Sequence, residues 1–469
     1  MPKGGAEARG RQMATLSKLA HQKFTDPALG SLLEDLRSLE RTLPYGSDDA
    51  SLVRVTRKNY EKRLKVPEKF VVASSKNASD SYEAWAEARP ENDFKKILLH
   101  LEKTLELSQE YSSFFPEFEH VADAHIDDSD EGMTVATVRP LFANLREKLV
   151  PLVEAIIARQ EANDGVVKQF FPEDKQLVFG LRIAQDFGYD LTKGRQDKTL
   201  HPFETHFSVN DVRITTRVKD NDLTEALFST LHEAGHAMYE QGVSESLDTT
   251  PLADGTSSGV HESQSRLWEN VIGRSFGFWK HYYPKLKKVF PKQFKNVSLE
   301  VFYKAINKVS RSLIRTDADE VTYNLHVIIR FDLECELLEN KLALKDLPEA
   351  WRDRYKSDLG VFSETDTDGV LQDVHWFSGF IGGAFQGYTI GNILSSQFYN
   401  AALKAHPKIP NEIAKGQFST LHGWMRENIY QHGSKFTALE IIKRATVQDM
   451  TIEPYVRYLE TKYRDLYGL

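Results

Sequence analysis

The chain has 469 residues, 41% hydrophobic and 27% charged, with no biased tract of the kind that stays unfolded, so it reads as globular and long enough for a large core. Its 60 basic and 68 acidic residues leave a net charge of -8, which excludes a global positive field for nucleic acid or anionic lipid. The single cysteine, Cys335, excludes an internal disulfide and a thiolate-rich zinc site, and a reducing compartment fits it.

The N-terminal "MPKGGAEARGRQ" is Gly-rich and charged, with no apolar stretch behind it of the kind a signal peptide needs. It reads as a flexible tail over residues 1–12, ahead of one α-helical unit, 13–469, with one or two lobes. Apolar residues then recur at helical spacing in "LGSLLEDLRSLERTL", "FKKILLHLEKTLELSQEYSSFF" and "RPLFANLREKLVPLVEAIIARQ". The predicted class is therefore mainly α. Strand-like alternation is rare; "THFSVNDVRITTRV", Thr205 to Val218, predicts a small β-hairpin or sheet, with Phe207, Val212 and Ile214 around a polar Asn-Asp pair.

The next segment, "NDLTEALFSTLHEAGHAMYE", predicts a helix beginning at Asp222 as N-cap, with Glu225 three residues on completing a capping box. Leu223, Ala226, Leu227, Leu231, Ala234 and Met238 form an apolar stripe at steps of three and four, which turns Glu225, Ser229, His232, Glu233, His236 and Glu240 to the other side. His232 and His236, four residues apart, can aim both imidazoles at one point, and neutral imidazole suits zinc. Glu233 falls beside that point, where it would take a proton from water. A catalytic zinc wants a third protein ligand, usually from a following helix. Among Glu240, Glu245, Asp248, Asp254, Glu262 and Glu269, the choice is Glu262 in "GVHESQSRLWENVIGRS", after a Gly- and Pro-containing loop that turns the chain back, with Glu269 second.

Further on, "WFSGFIGGAFQGYTIGNILSS", Trp376 to Ser396, is apolar enough to suggest a membrane, but Gln386, Tyr388, Thr389 and Asn392 interrupt it. A lipid span needs roughly 20 mostly apolar residues, so the segment is expected to pack inside the protein through its glycines. No repeat of roughly 20–50 residues appears.

Six motifs stand in order: "HPF" at His201, "DVRITT" at Asp211, "HEAGH" at His232, "HESQSR" at His261, "IRTDAD" at Ile314 and "GVLQDVHW" at Gly369. Together they resemble the carboxypeptidase Taq family of metallocarboxypeptidases. The resemblance is carried from about Glu204 to Asn392 and only weakly by the first 200 residues. It implies a helical fold with a deep central cleft, a homodimer, a cytosolic location, and zinc or cobalt on His232, His236 and Glu262 with Glu233 as base. The implied activity is removal of C-terminal amino acids from peptides by metal-activated water, with broad specificity. The other readings are an endo- or oligopeptidase with the same centre, and a non-catalytic helical metal-binding protein.

An exopeptidase must hold a free carboxylate, and arginine is the matched two-pronged donor. Arg315 in "IRTDAD" and Arg213 in "DVRITT" are the candidates, with Arg330 third; Asp319 and Asp211 are nearby acids that could hold the first two instead. A developing oxyanion wants a donor, for which His375 and Tyr388 are the choices. His201 is expected to line the cleft, and His206 to be structural. Where this chain reads "GGAFQGY" the family more usually carries Tyr-Phe-Pro, so Ala384, Gln386 and Gly387 set the pocket beside Tyr388 apart.

Overall fold

The computed structural model describes residues 5–159 and 162–469. Its chain divides into two compact units: residues 1–146, 311–318 and 322–387, and residues 147–310, 319–321 and 388–469. Met1 to Gly4 and Gln160 lie outside the described residues, but a helix runs over Ala6–Phe24, so most of the stretch read as a tail is helical. Among the described residues no helix is long and apolar enough to cross a membrane.

The first unit is helical. The stretch from Leu29 to Leu43, where apolar residues recur at helical spacing, lies over two helices, Pro27–Asp35 and Arg37–Thr42, parted at Leu36. Helix Phe94–Ser113 buries Phe94, Ile97, Leu101, Thr104, Leu107, Ser108 and Tyr111, the three- and four-residue steps its periodicity predicts. Leu107 and Tyr111 continue into a core with Val66, Phe70, Phe115 and Ala124. Helix Tyr323–Leu338 is buried on nearly every side, and Arg330 within it is 0% exposed. Such burial leaves a guanidinium only one tolerable state, fully paired.

The second unit carries the sheet: β1 (Gln196–Lys198), β2 (Glu204–Ser208) and β3 (Asp211–Thr216), in the order β1-β3-β2. β2 and β3 are the predicted hairpin, antiparallel with an irregular register between His206 and Ser208; β1 joins β3 in parallel. Alternation sorts the faces. Val212, Ile214 and Thr216 are buried, while Arg213 points out over the exposed Phe207 ring at 4.9 Å. The buried face packs on helix Leu223–Gly242, where Thr216 Oγ1 donates to the Ala226 carbonyl at 3.3 Å. The protein is thus mainly helical with a small three-stranded sheet, as the sequence predicts.

Candidate metal centre

Helix Leu223–Gly242 starts where expected, with the Asp222 carboxylate accepting from Thr224 N at 2.9 Å. The predicted capping box does not form: the Asp222 carboxylate takes the Thr224 amide, one residue short of Glu225, and Glu225 accepts from Arg217 Nε at 2.7 Å and pairs with Lys219 at 3.1 Å. All six residues of the apolar stripe are buried. The opposite side is not a solvated face either, since Glu233 and Glu240 are also buried. A buried face carrying two histidines and two glutamates is costly unless its polar groups are paired.

His232, His236 and Glu240 are met by the following helix, Ser258–Arg266, and the π-helical turns after it, Leu267–Ile272. Glu262 Oε2 stands 3.7 Å from His232 Nε2 and 3.4 Å from His236 Nε2, and the three side chains offer ligand atoms all within 4.8 Å of one another. Ligands about 2.0–2.1 Å from a tetrahedral ion lie roughly 3.3–3.4 Å apart, so this trio needs only small adjustments to hold one. Glu262 Oε1 is engaged separately, by Arg266 Nε at 2.6 Å, and Ser265 Oγ donates to Oε2 at 3.2 Å. One oxygen is anchored and the other faces the imidazoles.

Glu269, the second choice for third ligand, meets the opposite end of His232: its Oε2 is 2.9 Å from Nδ1 and 3.3 Å from Arg266 Nη1. It sits behind the imidazole rather than among the trio. A carboxylate there requires the proton on Nδ1 and leaves the Nε2 lone pair facing Glu262. His236 is supported similarly, its Nδ1 2.5 Å from His261 Nδ1 and His261 Nε2 2.7 Å from Glu240 Oε1. With Nε2 of His236 free to ligate, the protons run from His236 Nδ1 to His261 and from His261 Nε2 to Glu240.

The charges respond to this crowding. Burial pulls the His232 imidazole down, but the Glu262 and Glu269 carboxylates outweigh it and leave it raised. Burial dominates at His236, which drops to about 3, the neutral form a ligand requires. Glu262 is pushed up by burial but held well below the usual carboxylate range by Arg266, His232 and His236. Glu233, 6% exposed, is pushed up to about 7 by burial, with Glu262, Glu204 and Glu269 adding repulsion against His232.

Two glycines make this packing possible. A Cβ on Gly235, inside "HEAGH", would stand 2.6 Å from the Gln264 carbonyl and from Ser265 Cα, so the two ligand-bearing helices touch backbone to backbone. A Cβ on Gly391 would stand 2.5 Å from Glu262 Cγ. Gly391→Ala is therefore expected to displace Glu262, costing about 1–3 kcal/mol of stability and weakening metal retention. Gly423, where nothing lies within 4 Å, is the control. Metal content after dialysis, with Gly423→Ala unchanged and Gly391→Ala depleted, is the measurement; equal retention would remove the steric argument.

The remaining candidates are placed as follows. Arg213, exposed on β3, is held by Asp211 through two contacts of 2.7 Å. His201 is exposed, its Nδ1 2.9 Å from the Pro202 carbonyl. His206 bridges Glu204 and Asp254 at 3.1 and 2.8 Å. Tyr388 is half-buried in helix Gln386–Ala405, one turn before Gly391 and so on the side of that helix that meets Glu262.

In the first unit, Arg315 is buried and pairs with Asp373, fifty-eight residues on, its Nη2 2.7 Å from Oδ1. Its Nη1 donates to Tyr323 at 2.8 Å. Arg330 reaches the same carboxylate, Nε to Oδ2 at 2.6 Å, and donates to Gln372, the His326 carbonyl and Tyr355. His375 Nδ1 is 3.8 Å from Asp373, and its ring lies 4.6 Å from that of Phe385. Within "GGAFQGY", Gln386 donates to Ser129 and Asp130 at 2.7 and 3.1 Å. Trp376 Nε1 donates to buried Glu334 at 2.8 Å.

Residues 1–463 match the family described as carboxypeptidase Taq (M32) metallopeptidase. The thermostable carboxypeptidase 1 of Thermus thermophilus is 40% identical over 478 aligned positions, covering 100% of this chain and 93% of that protein. Carboxypeptidase 1 of Bacillus subtilis is 37% identical, covering 100% and 93%. A crystal structure of an M32 carboxypeptidase from Deinococcus radiodurans R1 superposes with a TM-score of 0.95 at 51% identity, covering 100% of this chain and 94% of that one. The chain therefore belongs to the carboxypeptidase Taq (M32) metallopeptidase family. It is a metallocarboxypeptidase, a hydrolase of peptides that works with a divalent metal ion.

Proposed function

We propose that His232, His236 and Glu262 hold zinc, with cobalt the alternative, and that Glu233 is the general base. The enzyme then removes residues stepwise, with broad preference, from the free C-terminus of peptides. The observation that carries this reading is Glu262 Oε2 facing the Nε2 atoms of both histidines while Arg266 holds Oε1. Two imidazoles and one carboxylate suit either ion.

An ion in this cage supplies Lewis acidity toward a carbonyl oxygen and toward water. The chain's own residues do the rest. Glu233, one residue from His232 and outside the ligand trio, accepts the proton of the attacking water and returns it to the leaving amine. Tyr388 or His375 donates to the oxygen that gains charge. Tyr388 is favoured by its place one turn from Gly391.

Arg315 is our choice for the substrate's terminal carboxylate, with Arg213 and His201 as outer peptide contacts. Arg315 and Arg330 meet at the Asp373 carboxylate, which holds both guanidinium groups in place, and a guanidinium so held is a two-pronged donor matched to a carboxylate. Arg213, by contrast, is exposed and already met by its neighbour Asp211. A cytoplasmic location and a homodimer complete the proposal: the one cysteine, Cys335, is buried and unpaired, and the dimer rests on family membership.

The test compares a peptide with its C-terminally amidated twin, following products by mass. Stepwise loss from the free acid alone is expected; equal cleavage of both, or internal cuts, would favour the endopeptidase.

A further inference from the structure

Among the described residues, the ligand trio is not the only convergence of imidazole and carboxylate. His206, Glu240 and Asp254 offer ligand atoms all within 4.8 Å of one another. We propose that these three side chains form a second divalent-cation site, of the zinc class, joined to the first through His261.

Glu240 supplies the observation that points to a ligand. Its side chain is 2% exposed, and Oε1 is fully used, accepting from His261 Nε2 at 2.7 Å and Gly255 N at 3.0 Å. Oε2 is equally buried and accepts no hydrogen bond; it faces His206 Nε2 at 4.0 Å. A buried carboxylate oxygen without a donor is costly, and a cation between it and the imidazole removes that cost.

His206 is arranged as a ligand would be. Glu204 Oε1 lies 3.1 Å from Nδ1, the outer carboxylate that fixes a metal-binding imidazole, and Nε2 faces Asp254 Oδ1 at 2.8 Å. Asp254 is 68% exposed, so ions can arrive and water can complete the coordination. One imidazole nitrogen and two carboxylate oxygens suit zinc or cobalt better than magnesium, which prefers an all-oxygen shell. Asp254 is exposed and has to be ordered on the ion, which makes this the weaker of the two sites.

The Glu240 carboxylate serves both places, with Oε2 at the new site and Oε1 behind His261 and so behind His236. A charge taken up at Oε2 weakens Oε1 as an acceptor, which links the two affinities.

Equilibrium dialysis of the full-length protein against Zn²⁺ near neutral pH, with metal measured by mass spectrometry, tests this. Wild type is expected to take up one tight and one weaker equivalent, and Asp254→Ala one equivalent fewer, with the tight one intact. Glu262→Gln should lose the tight equivalent and keep the weaker, which separates this proposal from the assignment of the first site. Glu204→Gln should lower only the weaker affinity, by about 10- to 100-fold. Saturation of wild type at one equivalent, or two equivalents on Asp254→Ala, would overturn the proposal.

Discussion

Glu233→Gln is expected to keep its metal and lose turnover by about 10²- to 10⁴-fold, the range supplied by a positioned general base. The change is nearly isosteric, and Glu233 is outside the trio whose atoms converge, so the ion's ligands are untouched. The amide cannot accept the proton of water, which isolates the chemical step from metal binding. Two measurements on one preparation decide it: metal content, expected to equal wild type, and kcat on a synthetic peptide. A variant turning over at the wild-type rate would refute the base assignment, and a variant without metal would mean that Glu233 supports the cage instead.

The second large effect is on stability. Asp373→Asn is expected to destabilise the unit that contains it by about 3–5 kcal/mol, because it removes the carboxylate shared by Arg315 and Arg330 and leaves Arg330 charged with 0% exposure. The sign of the pH dependence follows. Asp373 is pushed up by burial, but Arg330 and Arg315 hold it far below the usual carboxylate range. Its contribution is thus complete above the unfolded value, about 3.9, and is lost only as pH falls through the depressed folded value. Urea unfolding near neutral pH reads the loss as a lower midpoint. An unchanged midpoint would show that the arginines find other partners.

The helices were legible because burial repeats at steps of three and four, as in Phe94–Ser113. The N-cap at Asp222 was legible because a short acceptor before an apolar stripe has few other uses. The capping box failed because Arg217, from the preceding loop, claims Glu225, a competitor that local pattern cannot weigh. β1 left no signal at all: "QDK" is three residues, mostly exposed, and pairs only because β3 lies beside it.

At the centre, spacing brought His232, His236 and Glu262 to one place but could not say which end of an imidazole a carboxylate meets. Glu262 and Glu269 are seven residues apart, two turns, and both reach His232; only the fold assigns one to Nε2 and the other to Nδ1. Glu240, weighed as a third ligand, stands behind His261 instead. Arg315 meets an acid 58 residues away, a partner that sequence proximity could not offer. Gly235 and Gly391 could not be read as spacers until the backbones they separate were known.

His232 is held at Nδ1 by Glu269, and Glu262, which faces its Nε2, is tied to the same guanidinium as Glu269, that of Arg266. Its rotamer is chosen when the chain folds, and the loss of side-chain entropy is met then by the core as a whole. An arriving ion finds the imidazole already frozen in its binding pose, so little of its affinity is spent on ordering the protein.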